Sequence, residues 1–339
     1  MNFNIAKLFL FGISLVLAQF KLCAENEIQS VENLLNFVRS NYVATLILNE
    51  KELNEALITG LKSYLGEGFE TDSKPLNQTA SFFNSYKQVW LKNFLVLQFG
   101  VQPEATKSAE DYRNKLKNDI NQNHLEGIIL DVRGWKDLFH YEELAQFLSW
   151  WITPETILFG FKNAKESWYK ANGGLVTDSL PLVILVNENT LGLGEVMAKV
   201  LRRNGRGIVI GTNSGGLMVR WLESKGGETI FYRVAHDKVF LTPDKALFPG
   251  RIRPDIEILV NKDEDQIKLE AERGSDTLSS YVFEQEGIKK DNEAALTQGE
   301  FSLSEREQKE SSQEKMEQYD KVLQTAVDVL TAVKAWKKP

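Results

Sequence analysis

In this 339-residue chain the hydroxyls whose setting could suit covalent chemistry stand in turns. Thr190 and Ser214 carry the hydroxyls of two glycine-rich corners, Thr190-Leu191-Gly192-Leu193-Gly194 and Gly211-Thr212-Asn213-Ser214-Gly215-Gly216. A hydroxyl is a useful nucleophile only when a neighbouring base takes its proton, and the commonest work of Ser and Thr in such places is to satisfy turn backbone groups. His124, His140 and His236 are far apart and lack other ligand types at metal spacing, so surface placement is expected, with no metal and no cofactor. Gly192-Leu193-Gly194 lacks the third glycine of a dinucleotide loop, because Met197 holds that place, and the GTNSGG stretch has no Lys-Ser/Thr to make a phosphate loop. Asp131 and Glu195 look like a carboxylate pair, but a strand end and a helix start explain them without catalysis.

The elements that position these residues can be read from the pattern. PLVILVN (181–187) is a short apolar run of buried-strand type, and a tight turn follows it. A helix is expected from Glu195 to Arg203, with Val196, Val200 and Leu201 on one face. A strand turning sharply into a helix suits the presentation of a reactive group, since N–H groups at a helix N-terminus stabilise nearby negative charge. GIILDV (127–132) is a second buried strand, ending in Arg133-Gly134.

The corner resembles that of the carboxyl-terminal processing (tail-specific) serine peptidases, whose pattern V-N-x-x-S/T-A-S-A-S-E has its nucleophile at the middle serine. Asn187, Thr190 and Glu195 match, and Gly192 takes the nucleophile position. The resemblance implies a lysine base in a following loop of type V-G-x-x-T-F-G-K-G. In Val209–Met218, Gly211 and Gly216 match, whereas Leu217 stands at the lysine position. A one-residue shift offers Gly216 or Met218, neither of them basic. The family's R-G-N-P-G-G oxyanion loop is here Arg133-Gly134-Trp135-Lys136-Asp137, with a bulky Trp135 expected to fill or cover the cleft. Lost oxyanion donors cost roughly 10²–10³ in rate each, and a lost nucleophile leaves only what binding provides. No catalytic residue is therefore assigned. Thr190 and Ser214 remain the fallback nucleophiles, and Lys136 is expected to be a solvated loop charge. The resemblance places a ligand cleft at Gly134, Trp135, Gly192, Leu193, Gly194, Gly216 and Leu217.

Composition narrows the classes. The net charge is −7, without the basic footprint of a nucleic-acid binder. Lys7, the apolar run Leu8–Phe20 and the small Ala24 before Glu25-Asn26-Glu27 form a signal-peptide pattern, with cleavage expected after Ala24. Lipid attachment at Cys23 is the alternative, disfavoured by Lys21 and Leu22 where small residues are usual. Cleavage removes Lys7, Lys21 and no acid, changing −7 to −9, and takes away the single cysteine. The expected product is an exported acidic protein, periplasmic or secreted, without disulfides or thiolate chemistry.

The expected architecture is α/β, a crossover β-α core of the tail-specific protease (ClpP/crotonase-like) type with an N-terminal helical subdomain and a C-terminal helix. Residues 1–24 are the signal peptide. Residues 25–87 hold amphipathic helices at 30–43 and 51–65 and a polar linker too short for the PDZ domain of many family members. Residues 88–270 form the α/β domain, with a strand over 90–99, a helix over 105–121 and a hairpin over 231–241. A charged mobile linker is expected over 271–318 and an amphipathic helix over 319–339. LDVRG, LVN…E, NGRGIVIG and RPDIEI recur in the family's order. Together these features predict a non-catalytic peptide-binding or regulatory protein of the cell envelope, whose partner is a peptide or a protein C-terminus. The alternatives are an active peptidase with a rearranged nucleophile and, by analogy of fold, a carrier of an apolar small ligand suggested by Leu191, Leu193, Leu217 and Met218.

Overall fold

The computed structural model describes residues 50–72, 81–101, 108–122, 125–162, 166–174, 180–225, 231–242, 245–247, 250–282 and 319–337. The signal-peptide pattern, the expected helix over 30–43, His124 and residues 283–318 of the expected linker lie outside these. In chain order the first elements are α1 (Glu50–Leu65), β1 (Phe69–Asp72), β2 (Tyr86–Leu91), β3 (Phe94–Phe99), α2 (Ala109–Gln122), β4 (Gly127–Asp131) and β5 (Lys136–Asp137). Next come α3 (Tyr141–Leu148), β6 (Ile157–Lys162), β7 (Glu166–Lys170), β8 (Leu182–Val186), β9 (Leu191–Gly192) and α4 (Leu193–Arg203). The last are β10 (Gly207–Gly211), β11 (Val219–Lys225), β12 (Phe231–Thr242), β13 (Lys245–Ala246), β14 (Ile256–Glu257), α5 (Lys262–Gly274) and α6 (Lys321–Lys337).

The chain forms two compact units, Met1–Glu67 and Gly68–Pro339. Of the first, α1 is described. It ends where the sequence places its stop, at Gly66, whose φ of 57° suits glycine.

In the second unit, the apolar runs of β4, β8 and β10 are neighbouring parallel strands. β14 joins β10 in parallel, β3 joins β4 in parallel, and β2 closes the other edge antiparallel, giving the order β14-β10-β8-β4-β3-β2. Strands apolar on both faces need cover on both. Tyr112 and Leu116 of α2, Leu144 and Phe147 of α3, and Val196 and Val200 of α4 pack with Leu95, Leu97, Ile128, Leu130 and Ile184. Val322, Leu323, Ala326 and Leu330 of α6 pack with Val96, Ile129, Val183 and Leu185 on the opposite face. A second sheet runs β1-β12-β6-β7, with β11 and β13 also on β12, and a parallel two-stranded ribbon joins β5 to β9. The crossover α/β reading of the sequence therefore holds.

Several boundaries differ. The expected strand over 90–99 is a hairpin, because the polar pair Lys92-Asn93 breaks the apolar run and Lys92 takes a φ of 55°. The expected hairpin over 231–241 is one continuous strand. His236-Asp237 does not turn the chain: Asp237 pairs with Arg220 of β11 while the ladder continues. Part of the linker over 66–88 is strand, since Phe69–Asp72 pair with Phe231–Val234. The charged linker expected from 271 starts with structure instead. α5 runs to Gly274, and Leu278, Tyr281 and Val282 then pack into the sheet's second face.

Candidate functional site

The C-terminal ends of β4, β8 and β10 bring three loops together. They carry Arg133–Asp137, Asn187–Gly192 and Thr212–Leu217. Gly192 caps α4 with φ 64° and ψ −114°, a conformation essentially reserved for glycine. The ribbon pairs Asp137 with Gly192, so an ideal Cβ at Gly192 would overlap the Asp137 carbonyl oxygen and the Leu138 side chain. Gly192, expected to stand at the nucleophile position, has neither a side chain nor the space for one.

Leu217 is 2% exposed and clusters with Leu138, Val219 and Trp221, with Leu191 and Phe139 packed alongside. Leu217, expected to stand at the lysine position, thus belongs to a small apolar cluster. The apolar residues of this corner fill one another's space.

Glu195 is 0% exposed and is wholly engaged in internal pairing. Its Oε1 accepts from Ser214 Oγ at 2.5 Å and from Gly216 N at 2.7 Å; its Oε2 accepts from Leu217 N at 2.9 Å and Gly192 N at 3.1 Å. Burial pushes its carboxyl above the ordinary glutamate value, against the opposing pull of those four donors. One carboxylate therefore ties the two glycine-rich corners together. Asp131 and Glu195, expected to be a strand-end and a helix-start acid rather than a catalytic pair, take separate partners, and Asp131 turns to Arg133.

Ser214 and Thr190 are both 0% exposed. Ser214 Oγ also accepts from Ile252 N at 2.7 Å. Thr190 Oγ1 donates to Val132 O at 2.9 Å and accepts from Asn187 N at 3.0 Å. Both hydroxyls satisfy backbone groups. Lys136 is 43% exposed and pairs with Glu70 at 2.5 Å, away from either hydroxyl's bonds.

Residues 133–137 form a strap over the corner. Gly134 N donates to Asn187 Oδ1 at 2.8 Å and Leu191 N donates to Trp135 O at 3.0 Å. Of the two expected placements, the Trp135 side chain fills space rather than capping it, its ring 3.3 Å from an ideal Cβ at Gly194. It turns inward at 3% exposure, with ring centroids 4.7 Å from Phe99 and 5.6 Å from Phe82, contacts worth about 0.5–1.5 kcal/mol each beyond area. Of the residues assigned to a ligand cleft, only Gly134 is partly exposed; Trp135, Gly192, Leu193, Gly194, Gly216 and Leu217 are buried. A ligand reaches them only if the strap moves. A surface cavity of about 230 Å³ borders two of the three loops, lined by Asn187, Asn189, Thr212, Asn213 and Arg251, and another of about 260 Å³ lies elsewhere, beside Leu259, Tyr319 and Lys321.

The strap begins at Arg133, which is 1% exposed. Its guanidinium grips Asp131 with two bonds, Nε to Oδ1 at 2.9 Å and Nη2 to Oδ2 at 2.8 Å. Nη2 also reaches Glu272 Oε2 at 3.0 Å, and Nη1 reaches Asp320 Oδ2 at 2.6 Å. These carboxylates outweigh burial and hold the guanidinium firmly charged. Arg273 donates to the backbone oxygens of Phe99, at 2.8 Å, and of Arg133. Glu272, Arg273 and Asp320 were missed by sequence reasoning because they fall in or beside the stretch read as linker. The faint signal was Leu269 three residues before Glu272, a helical spacing within KDEDQIKLEAERG.

His140 caps α3 and its Nδ1 lies 2.7 Å from Asp137 Oδ2; His236 lies on β12, not in a turn. Among the described residues, no group of three or more His, Cys, Asp or Glu side chains is placed to hold a metal ion. Nor is any described helix long and apolar enough to cross a membrane.

Residues 91–258 match the sequence pattern of peptidase family S41. Among solved structures, a lipoprotein from Streptococcus agalactiae is 14% identical with a TM-score of 0.46, covering 66% of this chain and 83% of its own. The photosystem II D1 C-terminal processing protease is 16% identical with a TM-score of 0.38, covering 56% of this chain and 47% of its own. Mature CPAF complexed with lactacystin is 10% identical with a TM-score of 0.40, covering 54% and 55%. The chain thus spans about half the length of these last two. No curated protein gives a significant match.

Proposed function

The chain belongs to peptidase family S41 through residues 91–258, and from that premise we propose that it is a non-catalytic member, exported, which acts by binding a peptide or protein C-terminus or by regulation rather than by hydrolysis. The observation that carries this reading is the closed corner. Gly192 offers no nucleophile, and the Asp137 carbonyl occupies the place where a side chain would begin. The base position, Leu217, is embedded among Leu138, Val219 and Trp221, where an ammonium would be costly. Oxyanion stabilisation needs N–H groups aimed at a substrate oxygen. The N–H groups of Gly192, Gly216 and Leu217 are already committed to Glu195.

One observation favours a rearranged hydrolase: the 2.5 Å contact between Ser214 Oγ and Glu195 Oε1 pairs a hydroxyl with a base. Against it, both residues are fully buried and Ser214 also holds Ile252 N, so no substrate carbonyl approaches. Peptide binding then relies on a surface outside the packed corner or on movement of the strap. The apolar-carrier reading has less support, because the leucines at the corner pack on one another.

The test uses residues 25–339, incubated with an unstructured protein and with a serine-directed phosphonate. The expected result is neither turnover nor labelling, together with measurable anisotropy changes for labelled peptides that weaken when the C-terminus is amidated. Turnover that disappears on Thr190→Ala or Ser214→Ala would overturn the non-catalytic reading.

A further inference from the structure

Glu272 is fully buried, and the protonation state of its carboxyl is set by its neighbours. Oε2 accepts from Arg133, but Oε1 has no donor, an expensive condition for a buried carboxylate oxygen. The same guanidinium holds Asp320, the residue before α6, through its other terminal nitrogen, Nη1 to Oδ2 at 2.6 Å, which sets the two carboxyls side by side. With Asp131 on the same buried guanidinium, two further ionised carboxylates crowd and repel, a conflict relieved when one of them carries a proton.

Asp320 is the wrong host for that proton. Its Oδ1 accepts from Val322 N at 2.7 Å and Leu323 N at 3.0 Å, capping α6, while Oδ2 accepts from Arg133 at 2.6 Å. The proton therefore sits on Glu272 and turns its orphan oxygen into a donor. The charges facing Glu272 agree. They are Arg133 from the strap, Asp131 from β4, Arg273 on its own helix and Asp320 from α6, with the neutral Tyr281 hydroxyl beyond. Two cations face two anions when Glu272 is neutral. If Asp320 withdraws, an ionised Glu272 becomes the second anion.

We propose that α6 is a proton-linked latch, docking on the sheet with uptake of one proton shared by Glu272 and Asp320, and loosening when that proton is lost. Burial, the largest cause, and the Asp320 and Asp131 charges push the Glu272 carboxyl well above its ordinary value of 4.5, against the opposing effect of Arg133. For Asp320, burial is outweighed by Arg133, the Glu272 contact and the Leu323 amide, leaving it below its ordinary 3.8. The sign follows by linkage. A carboxyl with a raised docked value stabilises the docked state fully below its free value, and that stabilisation drains as pH rises towards the docked value. The Asp320 contribution runs the other way and is lost only in acid. Docking is therefore tightest near the ordinary carboxylate range and weakens above it. Release uncovers Val96, Ile129, Val183 and Leu185, and removes one of the carboxylates holding Arg133 at the head of the strap.

Hydrogen exchange on residues 25–339 tests the latch. Above the ordinary carboxylate range, the opening constant of the Leu323, Ala326 and Leu330 amides, corrected for intrinsic exchange, is expected to rise by up to about tenfold per pH unit and to level off once the docked carboxyl itself loses its proton. The Ile129 amide in β4, which exchanges by global unfolding, shares the proton loss and hence the slope but stays better protected than α6 at every pH; opening constants equal to those of α6 would mean that no separate latch exists. Glu272→Gln, whose amide donates without titrating, abolishes the slope. Asp320→Asn also abolishes it, since it keeps the cap and removes the anion. A flat wild-type profile, or a slope that survives both changes, overturns the proposal. Should a variant fail to fold, the infrared band of a protonated buried carboxyl in the wild type decides. Its presence near neutrality and loss in step with α6 protection support the latch; its absence overturns it.

Discussion

Restoring a side chain at Gly192 is the most direct probe of the closed corner. Gly192→Ala adds one methyl group and forces two separate penalties. The backbone at φ 64° and ψ −114° is a region where non-glycine residues cost about 1–3 kcal/mol. The new Cβ also overlaps the Asp137 carbonyl, which is backbone and cannot rotate away, and the Leu138 side chain. Overpacking of that kind costs typically 1–3 kcal/mol. Relief requires the β5–β9 ribbon to part, sacrificing the 3.0 Å bond from Leu191 N to Trp135 O. The expected total is about 3–5 kcal/mol, a large fraction of the roughly 5–15 kcal/mol that stabilises a domain. In thermal unfolding this lowers Tm by on the order of 10 °C for a domain of a few hundred residues. Gly192→Ser suffers the same loss and gains no hydrolysis, even with Leu217→Lys. An alanine variant within about 1 kcal/mol of the wild type, or a Ser/Lys variant that cleaves an unstructured protein, refutes the argument that the corner is closed.

Three further changes test the supports of that corner. Leu217→Lys places an ammonium among Leu138, Val219 and Trp221, which lowers the lysine's pKa. The unfolded state then binds the extra proton, so urea unfolding should show a deficit at neutral pH that shrinks as pH rises towards the free lysine value. Glu195→Ala strands the N–H groups of Gly192, Gly216 and Leu217 and the Ser214 hydroxyl, at about 1–3 kcal/mol per stranded donor before relaxation. A soluble variant with a native-like urea midpoint would contradict that role. Arg133→Met leaves Asp131, Glu272 and Asp320 without their shared cation and should cost about 3–5 kcal/mol, read as a lower midpoint that partly recovers in mild acid as the carboxyls protonate.

The central sheet was legible because buried parallel strands leave an unambiguous mark: GIILD, LVILV and GIVIG are apolar throughout and bounded by turns. The proposal of a chemical loss at the corner arose from the sequence because each differing group is a single residue at a fixed place in the pattern it resembles. What spacing could not show was where the remaining groups would turn. Glu195 reads as a helix-start acid, yet it gathers donors from a loop about twenty residues away, a contact that depends on the fold bringing β8 and β10 side by side. Trp135 reads as a filler or a cover because it is bulky. Its direction is fixed by Phe82 and Phe99, which come from segments read as linker and as a single strand. α5 was obscured by its own composition, since a helix with a narrow apolar stripe and many charges resembles a solvated linker until its buried side is seen.

That last misreading bears on the function. The charged segment after the closing RPDIEI stretch supplies Glu272 and Arg273, and the residue just before the last helix supplies Asp320. All three converge on the arginine that opens the strap. The loop that resembles the family's oxyanion loop is therefore held from behind by the C-terminal part of the chain and from the front by the ribbon to Gly192. A loop pinned on both sides need not be idle. If the C-terminal helix loosens, the arginine loses one of its three carboxylates while the ribbon remains, so the strap is freed from one side only. Any binding role for this corner should then follow the docking of α6 rather than vary independently of it. Peptide affinity measured across pH, in the wild type and in Glu272→Gln, should track α6 protection in the first and be constant in the second. Affinity that changes with pH identically in both proteins would separate the corner from the latch.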